Sequence, residues 1–237
     1  KLLIKKLKIP TRMAYLISIG STVCGTTAIV ATAPVIGAKK NEVSYAIANI
    51  TLFGILSMLI YPYFANFYFN SEPLLVGLFL GTSIHETSQV AAAGLIYDQQ
   101  FNSPETLNIA TVTKLIRNTF LIIMIPLFAF LYNRGRAVEK KYSIIGIFPF
   151  FVLGFVTMII IRNLGDLLFL SYYEWSVAVD SIKLSSKIFL TMAMAAIGLC
   201  TNLKEIKNMG YKPFVVGFIG MTTVGLVCIT TIELYLN

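Results

Sequence analysis

The chain alternates long apolar runs with short polar or basic connections, and small polar residues interrupt two of the runs. Residues 74–97 are the plainest case. Leu74 to Leu80 is apolar apart from one Gly; Thr82, Ser83, His85, Glu86, Thr87, Ser88 and Gln89 then crowd together; residues 90–97 are apolar and Ala-rich. Read as one helix, these 24 residues extend about 36 Å, enough to cross a hydrocarbon core of about 30 Å. The polar cluster then falls near the midplane. Residues 13–38 repeat the layout: apolar to Gly20, then Ser21, Thr22, Cys24, Gly25, Thr26 and Thr27, then an Ala/Val/Ile-rich half with Pro34 and Gly37. Two spans interrupted in this matched way are a sequence pointer to a transporter binding site.

Five further spans follow from the pattern: 45–61, closed by Pro62; 104–132, opened by Asn102 or Ser103 as cap with Pro104 in the first turn; 144–161; 188–203; and 213–236. The aromatic stretch 64–73 reads as an interfacial loop. Residues 162–187 read as the most polar connection, with a short interfacial helix over 175–184 that includes Trp175. The basic connections lie at the N-terminus, at 134–141 and at 204–212. Seven crossings place all three on one side, which the positive-inside rule makes cytoplasmic; Lys39 and Lys40 fall on the other side, as does the C-terminus.

Composition supports this organisation. Hydrophobic residues are 57% of the chain and charged residues 13%, against about 45–50% and 25% in soluble domains, and mean hydropathy is +0.77. The fold class is all-α: one polytopic domain of the cell (inner) membrane. The net charge of +8 sits in the connections, where it sets topology, so nucleic acid is not implied as a partner. Cys24, Cys200 and Cys228 form neither a CxxC pair nor an even framework. No cofactor or metal set is indicated.

Ionisable groups near the midplane are costly and are read as functional by default. A broken helix offers an anion free N–H groups and the positive end of a dipole. Ser21, Cys24, Gly25, Thr26, Thr27, Ser83, His85, Ser88 and Gln89 are the candidate substrate-binding residues on the two breaks. For each hydroxyl alone a back-bond to the preceding turn is the favoured reading; clustering at two matched breaks raises the case for a site. Lys114 and Arg117, three apart on one helix face, either snorkel to the interface or line a cavity that attracts an anion. On a regular helix His85 and Gln89 share a face, whereas His85 and Glu86 do not. Desolvation favours a neutral carboxyl and imidazole titrates near neutrality, so His85 and Glu86 are the candidates for proton or ion coupling.

Several stretches resemble the YeiH-type sulfate exporter family of membrane transporters: CGTTAIVATAPVIGA (24–38), EVSYAIANITLFG (42–54), SIHETSQVAAAG (83–94), KLIRN (114–118), PFFVLGF (149–155) and AMAAIGL (193–199). The run SIHExxQVxAAG is the most specific. The resemblance implies an inverted-repeat fold of the sodium/proton antiporter and bile-acid symporter type, with crossed broken helices. It also implies transport of sulfate or a related sulfur oxyanion, coupled to H+ or Na+. Family members continue N-terminally by roughly 100 residues, which would supply most of the first repeat of such a fold. This chain therefore reads as part of a longer protein.

Three other readings stand beside transport. HETSQ falls one residue short of the HExxH zinc signature; Gln at the fifth position and the lack of a second His argue against an intramembrane protease, and no enzyme is expected. A passive anion channel shares the same sequence features. A non-transporting receptor or scaffold predicts no flux at all. Membrane lipid is the remaining expected partner, with homo-oligomerisation left open.

Overall fold

The computed structural model describes residues 9–133, 150–169, 172–200 and 211–236, and these are helical nearly throughout. They fall into two compact units, one of residues 1–147 with 201–237 and one of 148–200.

The first unit holds α1 (Thr11–Thr22), α2 (Gly25–Thr32), α3 (Lys40–Tyr68), α4 (Pro73–Ser83), α5 (Thr87–Phe101), α6 (Pro104–Thr119), α7 (Leu121–Asn133) and α10 (Tyr211–Leu236). Both interrupted runs are broken helices. The α1–α2 pair parts at Val23 and Cys24, whose dihedrals are non-helical. The α4–α5 pair parts at Ile84–Glu86, with Ile84 and Glu86 extended. Hydroxyls crowd the end of each first half and bond back one turn: Ser18 to the Ala14 carbonyl, Ser21 to Ile17, Thr22 to Ser18, Thr82 to Leu78 and Ser83 to Phe79. Such back-bonds compete with the helical ladder and loosen it.

The span expected to close at Pro62 does not. α3 continues to Tyr68, a length of about 44 Å at 1.5 Å per residue. Pro62 removes one donor and is buried, and packed helices in apolar surroundings tolerate such a break. The stretch 64–68, expected as loop, is thus helical. Residues 104–132 form two helices rather than one straight span, bent by 46° about Phe120. Ser103 is the N-cap of α6 but spends its hydroxyl on that of Thr106.

α6 is inverted relative to a soluble amphipathic helix. Thr106, Ala110, Lys114 and Asn118 make its buried stripe, while Val112 and Ile116 face outward. This is the arrangement expected where the surroundings are apolar and the polar work lies inside. Close packing permits it: a Cβ on Gly81 of α4 would lie 2.5 Å from the Ala110 carbonyl oxygen. The core joins Phe53, Tyr61, Val76, Phe79, Val90, Tyr97, Ala110 and Met221 from α3, α4, α5, α6 and α10. A second cluster joins α1, α2 and α3 around Ile17, Ile29 and Ile50.

The second unit holds α8 (Phe150–Phe169) and α9 (Tyr173–Cys200). The expected polar connection 162–187 is thus helical over 162–169 and 173–187. Asp166 accepts hydrogen bonds from Arg162 Nε at 2.8 Å and Trp175 Nε1 at 2.9 Å, which pairs the polar residues where α9 begins. The expected spans 144–161 and 188–203 begin and end outside the described residues, as do the basic connections 134–141 and 204–210 and residues 1–8.

Among the described residues, α3 and residues 214–236 of α10 are each long and apolar enough to cross a membrane, and the bent α6–α7 pair makes a third candidate. The halves of the broken helices are individually shorter than a span.

Candidate functional site

The two breaks meet. The Gly25 amide donates to the His85 carbonyl oxygen at 3.1 Å, so the non-helical residues of one pair touch those of the other. Cys24 Sγ lies 3.9 Å from Thr87 Oγ1, and the Thr26 amide donates to Glu86 Oε1 at 3.3 Å.

At this crossing the carboxyl ends of α1 and α4 converge on the basic residues of α6. Lys114 is fully buried, and its ammonium donates to the carbonyls of Val23 (2.8 Å), Ile84 (2.8 Å) and His85 (2.6 Å). Three bonds exhaust its three donors. Arg117 is half-buried and donates to Ser21 (2.8 Å), Thr22 (2.7 and 3.0 Å), Thr82 (2.5 Å) and Ile84 (3.3 Å). A helix end leaves its last carbonyls without intrahelical partners, and here two cations take them up. The amino ends of α2 and α5 converge on Glu86. This residue is the N-cap of α5 and places its carboxylate on the first turn of α2. Each helix terminus is worth roughly half a charge, so both poles of the crossing carry a side chain of opposite sign.

Several groups here are buried without a hydrogen-bond partner: both ring nitrogens of His85, Glu86 Oε2, Gln89 Oε1, Thr51 Oγ1 and Asn118 Oδ1. A buried polar atom without a partner costs on the order of 1–3 kcal/mol, and such atoms concentrate around this crossing.

The model of the family described as conserved hypothetical protein 698 matches residues 1–217. The chain belongs to that family. Its curated relatives are UPF0324 membrane proteins. That of Fusobacterium nucleatum is 36% identical over 241 residues, covering 96% of this chain and 68% of the relative. That of Streptococcus agalactiae serotype V is 37% identical over 213 residues, with 90% and 62% covered. That of Clostridium tetani is 31% identical over 233 residues, with 92% and 64% covered. The chain therefore spans about two thirds of the length of the curated relatives it matches. Their names specify a membrane protein and no substrate. No solved structure matches the chain.

In this UPF0324 chain the candidate residues take distinct places. Gly25, Thr26, Cys24, His85, Glu86, Lys114 and Arg117 are brought together at the crossing. Ser21 and Ser83 turn their hydroxyls back on their own helices, though the Ser21 carbonyl binds Arg117. Thr27 is exposed in the first turn of α2, and Ser88 is buried in that of α5. Gln89 Nε2 donates to the Thr51 carbonyl of α3 at 3.2 Å. The shared face expected of His85 and Gln89 does not form, because His85 lies in the extended link and α5 begins only at Thr87. Thr51, Thr87 and Asn118 enter unforeseen. Asn118 Nδ2 donates to Thr87 Oγ1 at 3.1 Å; its position four residues after Lys114 was the available signal. Thr51 had none beyond being a polar residue in an apolar span.

Proposed function

We propose that the chain is part of a secondary transporter. In this reading it moves a small inorganic or sulfur-containing anion, sulfate-like, across the inner membrane by alternating access, coupled to H+ or Na+. The observation that carries the reading is the crossing itself: two broken helices in backbone contact at Gly25 and His85, with two cations and one carboxylate. The helix termini roughly cancel, two negative ends against two positive ends. Lys114 and Arg117 then outweigh an ionised Glu86 by one positive charge. Their bonds to carbonyls fix their positions without removing that charge, and a site of net positive potential attracts an anion. The resemblance of SIHETSQVAAAG to the YeiH-type exporters points to the same class of solute. An inner-membrane, multi-pass location follows from this reading and from the apolar helices.

The test uses the full-length protein in proteoliposomes preloaded with unlabelled sulfate, with uptake of labelled sulfate measured. Saturable counterflow supports the reading. Absence of flux refutes it, and conductance far above carrier turnover replaces it with a channel.

A further inference from the structure

The amino ends of α2 and α5 are where an incoming anion would find free donors, and a carboxylate of the protein already stands there. Glu86 Oε1 accepts from the Thr26 amide at 3.3 Å. Room for it is built in: a Cβ on Gly25 would lie 2.5 Å from Glu86 Cγ and 3.0 Å from Oε1. The residue is 3% exposed, and its Oε2 has no hydrogen-bond partner. We infer that Glu86 is an internal ligand of this donor-rich end, that an external anion binds only when a proton has neutralised it, and that one proton is therefore taken up with each anion. The inference rests on the transport reading and names its coupling ion.

Two negative groups sharing one small, buried set of donors repel strongly, because the interior screens them poorly. The balance of the step is simple. A proton from water on the loading side forms an O–H bond at Oε2, and the carboxylate becomes a neutral acid. Its hold on the Thr26 amide weakens, since hydrogen bonds to an ionised acceptor are about twice as strong as neutral ones. The Thr26 amide of α2 then becomes available, beside the first turn of α5, which Glu86 leaves without a side-chain cap. The new O–H also meets an acceptor, because the Thr51 side chain of α3 faces the same carboxyl.

The surroundings of Glu86 are mostly uncharged. α6 contributes the Lys114 ammonium, with Arg117 beside it. α2 contributes Thr26 and α3 Thr51. Cys24 lies against Thr87, and α10 brings Cys228 toward Lys114. On its own segment Glu86 follows His85, which is the one other group that could take the proton.

The test measures sulfate affinity against pH, and proton uptake on sulfate addition, with detergent-purified full-length protein. Wild type is expected to lose affinity tenfold per pH unit over the range where Glu86 ionises, and to take up one proton per sulfate bound. Glu86→Gln mimics the neutral acid and is expected to bind with no pH slope and no proton uptake. Glu86→Asp restores a carboxylate and is expected to restore both. Sulfate binding without proton uptake in wild type overturns the inference alone. So does a slope that survives in Glu86→Gln, a slope abolished by His85→Gln instead, or a requirement for Na+ in place of the proton. If sulfate does not bind at all, the transport reading falls with it.

Discussion

Replacing Lys114 by Met tests whether this side chain holds the crossing together. The substitution keeps a long, unbranched chain and removes the ammonium. Three carbonyls, those of Val23, Ile84 and His85, then lose a donor at 2.6 to 2.8 Å at a position of 0% exposure. The His85 carbonyl keeps the Gly25 amide and the Ile84 carbonyl keeps Arg117, so each loses one of two donors, at about 0.5–1.5 kcal/mol. The Val23 carbonyl is left unpaired, at about 1–3 kcal/mol, which brings the total to about 2–6 kcal/mol. For a protein of this size about 1 kcal/mol moves the melting temperature by 2–4 °C, so Lys114→Met is expected to melt about 4–24 °C lower. The assay is thermal unfolding in detergent, followed with a thiol-reactive dye. With Cys200 and Cys228 replaced by Ser, Cys24, which is buried at the break, reports opening of the crossing directly and is expected to react sooner in the variant. A melting temperature within about 2 °C of wild type, with Cys24 still protected, would refute the role given to Lys114.

Other outcomes follow from the packing. Gly81→Leu drives a side chain into the Ala110 carbonyl and Thr113; it is expected to cost several times the effect of Leu78→Ala, read by yield and thermal melting. Gln89→Leu removes the side-chain donor from the Thr51 carbonyl, which stays within the helical ladder of α3; the loss is about 0.5–1.5 kcal/mol, measurable in the same melts. Trp175→Phe removes the donor to Asp166 at the start of α9, where solvent-facing contacts are weak; the melting temperature is expected to stay close to wild type and the difference to shrink further with salt.

The sequence made the breaks visible because an apolar run has no use for Ser, Thr, Gly and a His–Glu pair unless its backbone or its centre does something else. The same logic mislaid other elements. Pro62 was read as a terminator, but it is buried and α3 runs on. Residues 162–187 look too polar for a span and point to helix only over 175–184, yet Asp166 accepts from both Arg162 and Trp175 and helix covers most of the stretch. The spacing of Lys114 and Arg117 placed both on one face; it could not tell what that face meets. Their partners are backbone carbonyls of segments some 30 to 95 residues away, and carbonyls carry no sequence signature. Glu86 was legible as a coupling candidate from its chemistry, whereas its seat on the first turn of α2 depends on the fold bringing Gly25 beside it.

The measurement that bears most directly on the crossing is a cross-link between the breaks. Cys24 is native, and Thr87→Cys would replace a hydroxyl that lies 3.9 Å from its sulfur. With other cysteines removed and a protease site placed near Asn70, between α3 and α4, mild oxidation is predicted to keep the cleaved halves together on a non-reducing denaturing gel and release them on reduction. Halves that separate without reductant, at the same rate as a control with Cys24 alone, would mean that the two interrupted helices do not touch.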